Sequence, residues 1–293
     1  MRVAVVDVGS NTARLLVAEH DQGRLQPIRE ARRLVLLGRD IEERGECSAK
    51  KLAELGDSAR RFASLARKHG AERVEVVVTA PGRQAANATE ILRVLREATA
   101  VSTRVLSAEE EGRLAWRGVV ASEPDLAESV AVCDVGGGST EVVVGTPDGG
   151  PVWSRSVDIG SLRLARRVLA DVPPGDDAMR AAEREAASAF SGLAFPIPQK
   201  AFACGGTARA LRKLAGETLG PEELALVLRF LERSDVRRIA KSARVSRRRA
   251  ETLPAGAVIL AELQKRLAVP FCVSRAGLRE GIALELVPAA AAA

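Results

Sequence analysis

The sequence predicts an α/β protein made of two related domains, and two observations support this prediction. The first is a repeated order of apolar strand, aspartate, glycine turn and second apolar strand, found at 7–12 and again at 134–141. The two aspartates are 127 positions apart (134 − 7), close to half of the 293 residues, which suggests a duplicated fold. The second is an alternation of strands with helices, typical of a mixed sheet covered by helices. We expect one phosphate-binding turn in each half, with both turns facing one central cleft.

The turn in the second half has the most informative residue types. It follows a continuous apolar run at 130–133, as in a strand buried on both faces, and a second apolar run at 142–144 comes after it. Its glycines let the backbone approach a ligand and direct N–H groups at an anion. A carboxylate at each end suits a hard cation such as Mg²⁺ beside a phosphate. The residues are Asp134, Gly136, Gly137, Gly138, Ser139, Thr140 and Glu141. The alternative is a glycine-rich hairpin with surface acids.

Two other turns have similar chemistry. In the first half the turn lies between apolar runs at 3–6 and 15–17. A third turn follows a strand at 201–203 and opens a helix, whose first N–H groups also suit an anion. The candidate residues in these two turns are Asp7, Gly9, Ser10, Asn11, Thr12, Gly205, Gly206 and Thr207.

Periodicity and turn residues assign the remaining elements in order. In the first half we expect strands near 2–8, 13–19, 25–37, 73–79 and 102–106, and helices near 48–69, 82–98 and 108–121. In the second half we expect strands near 129–134, 140–145, 151–157, 200–204 and 271–274, and helices near 160–170, 176–192, 206–215, 221–231, 234–242, 247–267 and after 277. A boundary near 122 divides the chain into domains of residues 1–122 and 123–293.

One helix start presents a candidate general base. Ser107 and Glu110 match a capping box, which explains Glu110 structurally. Glu111 instead shares a helix face with Leu114 and Ala115, so its carboxylate is expected to be partly desolvated. Periodicity alone does not decide between this interpretation and that of an exposed glutamate. Both of the chain's histidines lie at predicted element ends, so the base is expected to be a carboxylate.

Composition limits the partners. A net charge of +6 suits a polyanion, although an arginine-rich composition in general would also produce it. The basic stretch at 237–249 contains no aromatic residue to stack on bases, so a long anion without bases fits it better than nucleic acid; the alternative is a solvated helix face without a ligand. No apolar run approaches the length needed to span a membrane. None of the four cysteines forms a Cys-x-x-Cys pair, so we expect reduced thiols, no zinc site and a cytoplasmic protein.

Six segments together resemble the exopolyphosphatase/guanosine pentaphosphate phosphohydrolase (Ppx/GppA) family. They occur in the family's order over nearly the whole chain. They are 7–12 (Asp-Val-Gly-Ser-Asn-Thr), 79–83 (Thr-Ala-Pro-Gly-Arg), 107–114 (Ser-Ala-Glu-Glu-Glu-Gly-Arg-Leu), 134–141, 205–207 and 277–281 (Gly-Leu-Arg-Glu-Gly). The resemblance implies an actin-like fold of the actin–Hsp70–sugar kinase superfamily, with duplicated ribonuclease H-like domains. It also implies a short form of the family, without a C-terminal HD-like domain.

The resemblance also implies roles for individual residues. Glu111 takes the position of the catalytic base that activates water, and Arg83 that of an arginine contacting substrate phosphate. Here Pro81 and Gly82 precede Arg83, which departs from the family's usual loop. The expected function is removal of terminal orthophosphate from polyphosphate, with Mg²⁺ or another divalent cation held by Asp134 and Glu141, helped by Asp7.

Three alternatives stay open. Hydrolysis of guanosine pentaphosphate uses the same catalytic set. An ATP-dependent kinase of the superfamily fits the paired hairpins, but the segment 109–114 argues against it. A sensor of polyphosphate or of an alarmone fits less well, because the three acidic side chains are retained. The oligomeric state is open, with a homodimer as one option, and no nucleic-acid or membrane partner is expected.

Overall fold

The computed structural model describes residues 1–21, 24–169 and 171–288 of the chain. Two compact units make up the protein. The first unit combines Met1–Ser122 with Ala276–Ala293, of which 289–293 lie outside the described residues, and the second unit is Glu123–Arg275. The first stretch ends at the expected boundary. Residues 276–293, however, were assigned to the second domain by the sequence analysis, and the structure groups this segment with the first unit instead.

The first unit is built on a five-stranded sheet. Its strands are β1 (Arg2–Val8), β2 (Thr12–Asp21), β3 (Arg24–Leu34), β4 (Arg73–Val78) and β5 (Thr103–Val105). The spatial order is β3-β2-β1-β4-β5, with β1 antiparallel to β2 and parallel to β4. Its helices are α1 (Leu37–Arg44), α2 (Ala49–Lys68), α3 (Ala80–Gln84), α4 (Ala88–Thr99), α5 (Ala108–Val120) and, from the end of the chain, α13 (Leu278–Leu286).

Helices cover both faces of this sheet. The central strand β1 has four consecutive fully buried residues at 3–6, which is the pattern of a strand covered on both sides. Leu55, Phe62 and Leu95 from α2 and α4 pack on one face. Helices α5 and α13 pack on each other, and α13 also packs on β1.

Small residues explain why α13 belongs to the first unit. A Cβ at Gly118 of α5 would overlap the carbonyl oxygen of Gly277, and a Cβ at Gly281 of α13 would overlap that of Leu114. The two backbones are therefore in direct contact, which only glycine permits at both positions. This contact joins segments about half the chain apart, so sequence order gave no indication of it.

The second unit is built on a six-stranded sheet. Its strands are β6 (Val130–Val135), β7 (Thr140–Thr146), β8 (Gly150–Val157), β9 (Lys200–Cys204), β10 (Thr218–Leu219) and β11 (Phe271–Val273). The spatial order is β10-β11-β9-β6-β7-β8. Its helices are α6 (Ser161–Val168), α7 (Asp176–Ala189), α8 (Gly205–Ala215), α9 (Pro221–Glu232), α10 (Val236–Ser242), α11 (Arg247–Glu251) and α12 (Leu253–Leu267). A mainly aliphatic core lies between helices and sheet, with Phe190 and Phe271 among its largest side chains.

The two sheets share one topology. The strands β3-β2-β1-β4-β5 and β8-β7-β6-β9-β11 correspond one to one, with the same parallel and antiparallel neighbours. The offset of 127 also holds in the register, since Val8 pairs with Ala13 and Val135 pairs with Thr140. The prediction of a duplicated α/β fold is confirmed.

Three local expectations were wrong. The chain does not continue as a strand to 37: Leu36 adopts a left-handed conformation and α1 follows. The helix expected at 82–98 is two helices, because Ala85 is extended between them. The helix expected at 247–267 is also two, with Thr252 between them and Pro254 in the first turn of α12. Within the described residues, no helix combines the length and apolarity needed to cross a bilayer.

Candidate active site

The glycine turn of the second unit is held from one side by the start of α6. The carbonyl oxygen of Gly136 accepts hydrogen bonds from the backbone N–H of Ser161 at 2.9 Å and from its hydroxyl at 3.0 Å. The carbonyl oxygen of Gly137 accepts from the next two backbone N–H groups, those of Leu162 at 3.0 Å and Arg163 at 3.1 Å. The carbonyl groups of Gly136 and Gly137 therefore point at the N-terminal end of α6.

This arrangement fixes the direction of the turn's donors. In a trans peptide the N–H points opposite to the C=O of the same unit. Because the carbonyls of Gly136 and Gly137 point at α6, the N–H groups of Gly137 and Gly138 point away from it. Successive N–H groups directed to one side form a concavity that suits an anion. A Cβ at Gly160 would overlap Gly137, so the close approach of α6 to the turn requires glycine there as well.

The hydroxyls beside this turn are less accessible than the sequence suggested. Thr140 is fully buried, and its hydroxyl donates to the carbonyl oxygen of Ile159 at 2.5 Å. Ser139 is 3% exposed, and its carbonyl accepts from the N–H of Gly136 at 3.0 Å, which closes the hairpin. Thr140 therefore anchors the strand, and the backbone donors of the glycines are left to meet a ligand.

Asp134 and Glu141 face each other across the β6–β7 pair. Directly opposite residues of an antiparallel pair lie on the same face of the sheet, with their Cβ atoms about 5 Å apart. Glu141 is buried, and one of its oxygens accepts from the hydroxyl of Ser156 at 2.8 Å. Like charges in such a position repel, and a cation would offset the repulsion.

Asp134 also contacts the third glycine turn. A Cβ at Gly205 would overlap the Oδ1 of Asp134, and Gly205 has φ of 78°, so glycine is required there on both grounds. Burial, together with Asp134, raises the pKa of the Cys204 thiol far above its ordinary value. Cys204 is therefore a neutral thiol beside the carboxylate at neutral pH.

Thr207, expected as a phosphate ligand, lies in the interior. It is fully buried; its hydroxyl donates to the carbonyl oxygen of Val135 and accepts from Nη2 of Arg249, each at 2.9 Å. Val135 is the last residue of β6 before the glycine turn. Thr207 thus secures the strand end, while Gly206 opens α8 beside Gly205 and is partly exposed.

The turn of the first unit has a similar construction. The N–H of Gly9 donates to the carbonyl oxygen of Thr12 at 3.1 Å, the counterpart of the bond from Gly136 to Ser139 at the same offset. The carbonyl oxygen of Ser10 accepts from the N–H of Gly38 at 2.8 Å, and that of Asn11 accepts from two N–H groups that precede α1. By the trans geometry, the N–H groups of Asn11 and Thr12 point away from α1.

The charges beside the two turns differ. Asp7 pairs across the strands with Arg14, whereas Asp134 pairs with Glu141. The buried Arg279 of α13 is also an electrostatic neighbour of Asp7. Asp7 therefore lies among cations, and the close pair of carboxylates belongs to the second unit. Among the described residues, no group of three or more acidic, histidine or cysteine side chains is arranged to hold a metal ion.

Arg83 and Glu111 meet in the first unit. Nη1 of Arg83 lies 2.8 Å from Oε2 of Glu111 and also donates to the carbonyl oxygen of Leu106 at 2.9 Å. The side chain of Glu111 is 13% exposed and that of Arg83 is 21% exposed, so both are largely but not wholly buried. Gly82 allows this placement, because a Cβ there would come within 2.7 Å of the side chain of Val105.

The helix that carries Glu111 begins as predicted. Ser107 caps α5 by accepting from the N–H of Glu110 at 3.0 Å, and the Glu110 carboxylate accepts from the N–H of Ser107 at 2.9 Å. These bonds, with the nearby Arg104, hold the pKa of Glu110 below its ordinary value. The capping box occupies Glu110 and separates its role from that of Glu111.

Sequence reasoning did not anticipate the contacts of three residues that support the site, although one of them, Arg249, lies in the basic stretch noted at 237–249. Ser161 binds the glycine turn, Ser156 binds Glu141, and Arg249 binds Thr207. A signal existed for Ser161, since Gly160-Ser161 immediately precedes a helical segment and reads as a helix start. The other two contacts join different elements, and no local pattern marks them.

The site can now be compared with known proteins. The family model described as the Ppx/GppA phosphatase family matches residues 16–290. Exopolyphosphatase 2 of Mycobacterium tuberculosis is 27% identical over 97% of this chain and 98% of its own length. Exopolyphosphatase 1 of Mycobacterium bovis is 30% identical over 97% of this chain and 88% of its own.

Solved structures agree. The Aquifex aeolicus PPX-GPPA enzyme matches with a TM-score of 0.81 at 27% identity, covering 97% of this chain and 99% of the other. An exopolyphosphatase from Cytophaga hutchinsonii has a TM-score of 0.90 at 20% identity, covering 98% and 97%, and supports the fold alone. The predicted two-domain α/β fold is confirmed. The chain belongs to the Ppx/GppA phosphatase family and is a hydrolase.

Proposed function

We propose that this protein is an exopolyphosphatase, which removes terminal orthophosphate from inorganic polyphosphate with the help of a divalent cation. The observation that carries the proposal is the turn of the second unit, where the N–H groups of Gly137 and Gly138 are turned outward because α6 holds the carbonyls. The relatives named exopolyphosphatase match 97% of the chain at 27–30% identity, which supports the same substrate class.

The residues beside that turn fit a divalent cation. Asp134 and Glu141 supply oxygen ligands on one face of a strand pair, and Mg²⁺ usually takes only one or two protein carboxylates, completing its shell with water and substrate phosphate. When bound, the cation would neutralise phosphate charge. Asp7 was expected to assist, but its neighbours Arg14 and Arg279 are cations, so we assign the main holding role to the other two.

The turns bind the substrate by their backbone donors. The N–H groups of Gly137 and Gly138 in the second unit, and those of Asn11 and Thr12 in the first, would receive phosphate oxygens. Such donors are held in place before substrate arrives, so they cost little reorganisation when charge develops. Gly205 and Gly206 add the positive end of α8.

Glu111 is the proposed base. It would accept a proton from water as the water oxygen attacks the terminal phosphorus, while the bond to the next bridging oxygen breaks and the shortened chain leaves with that electron pair. Arg83, 2.8 Å from Glu111, keeps the carboxylate in one orientation, and its guanidinium would contact the substrate phosphate. Phosphoryl transfer depends mainly on positioning and charge neutralisation, so no covalent intermediate is required.

Side-by-side turnover tests the proposal. The purified protein is given long-chain polyphosphate or guanosine pentaphosphate, with Mg²⁺, and released orthophosphate is measured. We expect the larger kcat/KM with polyphosphate. A larger kcat/KM with guanosine pentaphosphate would assign the family's other activity. ADP formation from ATP with an acceptor would point to a kinase, and tight polyphosphate binding without phosphate release to a sensor.

A further inference from the structure

The second unit has an exposed basic surface outside the site described above. Six cations lie along α10, α11 and the turn between them, and all are exposed: Arg237, Arg238, Lys241, Arg244, Arg247 and Arg248. We call this set the α10–α11 tract. In the part of the chain that the structure describes, none of the six forms an ion pair with a carboxylate. Several arginines elsewhere on the surface do form such pairs.

The tract concentrates charge at a cost to the folded protein. Arg237 and Lys241 are four positions apart on α10, and Arg238 and Lys241 are three apart, so these side chains are neighbours on the helix surface. Like charges at such spacings destabilise a helix. The two helices pack on each other, and the turn between them folds back on α10 because the N–H of Val245 donates to the carbonyl oxygen of Ala240 at 3.0 Å. The repulsion would be relieved by a bound polyanion.

The tract leads toward the glycine turn of its own unit. The next residue of α11, Arg249, donates to the hydroxyl of Thr207, and Thr207 donates to the carbonyl oxygen of Val135. Val135 directly precedes Gly136. These contacts run through buried residues, and they place the end of the tract close to the turn whose N–H groups are turned outward.

We propose that the α10–α11 tract is a docking surface for the distal part of a linear polyphosphate chain whose terminal residues lie at the Gly136–Ser139 turn. This inference rests on the proposed function. The tract contains no aromatic side chain, and the nearby ring of Phe230 is covered by the guanidinium of Arg238, 5.4 Å from the ring centre. Stacking platforms for bases are therefore missing from this surface, while point charges for phosphates are plentiful.

Chain-length dependence is the test. The triple variant Arg237→Gln/Lys241→Gln/Arg244→Gln removes three charges from the tract. The matched control is Arg61→Gln/Arg67→Gln/Lys68→Gln, which removes three exposed charges from α2 of the first unit. For the tract variant we expect KM for long-chain polyphosphate to rise about tenfold, with kcat and the KM for tripolyphosphate unchanged, and the slope of log KM against log salt to fall by about two.

Two kinetic results would overturn the inference. One is an equal change in the tract variant and the control. The other is an equal rise of KM for tripolyphosphate, which would place the effect at the reaction site. Anisotropy of labelled long polyphosphate measures binding without turnover, so the tract can be tested even if the wild-type protein releases no phosphate. Displacement of the label by single-stranded RNA at lower concentration than by polyphosphate would contradict the choice of partner.

Discussion

Nη1 of Arg83 lies 2.8 Å from Oε2 of Glu111, although 28 positions separate the two residues in the chain. The sequence marked them as separate candidates, one for phosphate and one for water. The contact means that neither acts in isolation, since the guanidinium orients the carboxylate and also donates to the carbonyl oxygen of Leu106. Changes at either residue are therefore expected to affect the other.

Removing the charge of Glu111 tests the assigned base. Glu111→Gln keeps the shape of the side chain and an oxygen that accepts from Arg83, so the fold should persist, but it cannot take a proton from water. We expect kcat for polyphosphate to fall about 10²–10⁴-fold, the usual range for a general base. Orthophosphate release is the measurement, with thermal unfolding to check the fold. Glu109→Gln, an exposed position in the same helical turn, is the control and should retain full activity. Near-wild-type turnover by Glu111→Gln would remove this residue from the role.

The carboxylate pair is tested by its response to Mg²⁺. Glu141→Gln removes one of two oxygen ligands while keeping an acceptor for the hydroxyl of Ser156. We expect the Mg²⁺ concentration that gives half-maximal activity to rise about tenfold or more, in the range seen when groups around a metal are changed. Glu128→Gln, at an exposed position before β6, should leave this concentration unchanged. An unaltered Mg²⁺ dependence in Glu141→Gln would exclude this carboxylate as a ligand.

The close approach of α6 to the glycine turn is tested with one methyl group. Gly160→Ala places a Cβ on Gly137, so the turn must move and its outward N–H groups lose their fixed directions. We expect KM for polyphosphate to rise and kcat to fall together. Gly175→Ala serves as the control, since a Cβ there meets nothing within 4 Å. Equal kinetics for the two variants would show that the position of the turn does not matter for catalysis.

The buried cation Arg279 is expected to matter for stability. Its Nη2 lies 2.7 Å from Glu30 and 3.7 Å from Glu280, and its Nη1 donates to the carbonyl oxygen of Leu15. Burial alone would lower the pKa of Arg279, but Glu280, Glu30 and Asp7 together raise it. Arg279→Met would leave the buried Glu280 without this partner, whereas Glu30 is 56% exposed and would be hydrated, so we expect a cost of about 1.5–3 kcal/mol in the free energy of unfolding. Urea unfolding measures this, with the exposed Arg113→Met as comparison; a loss under about 1 kcal/mol would contradict the expectation.

Acid stability provides another prediction. Asp40 is buried; burial alone would raise its pKa, but bonds from the hydroxyl and the N–H of Ser48, with Arg44 and Lys51 nearby, bring the pKa below the ordinary value. A lowered folded-state pKa adds stability that is present above about pH 4 and is lost as the pH falls through the folded value. Asp40→Asn should therefore lower the unfolding free energy at pH 7 and make it less dependent on pH below about 4. If the unfolding free energy of Asp40→Asn fell below pH 4 as steeply as that of the wild-type protein, the expectation would be contradicted.

The sequence by itself determined the features that depend on neighbouring residues. The two hairpins, their offset of 127 and the capping box of Ser107 and Glu110 were all predicted, because alternation, glycine turns and caps act within a few positions. The class of ligand followed from the same local chemistry. The structure confirms the hairpins, their offset and the capping box, because strand pairing across a short turn leaves few other arrangements.

Only the tertiary structure decided which distant segments meet. It placed α13 against α5 in the first unit, paired Arg83 with Glu111, and buried Thr207 as an anchor for β6 instead of exposing it as a ligand. It also showed that Asp7 faces a cation and Asp134 a carboxylate, although the two hairpins look alike in sequence. Apart from the two cross-strand pairs, these outcomes depend on side-chain volumes and charges brought together from distant positions in the chain, and no local pattern encodes such contacts.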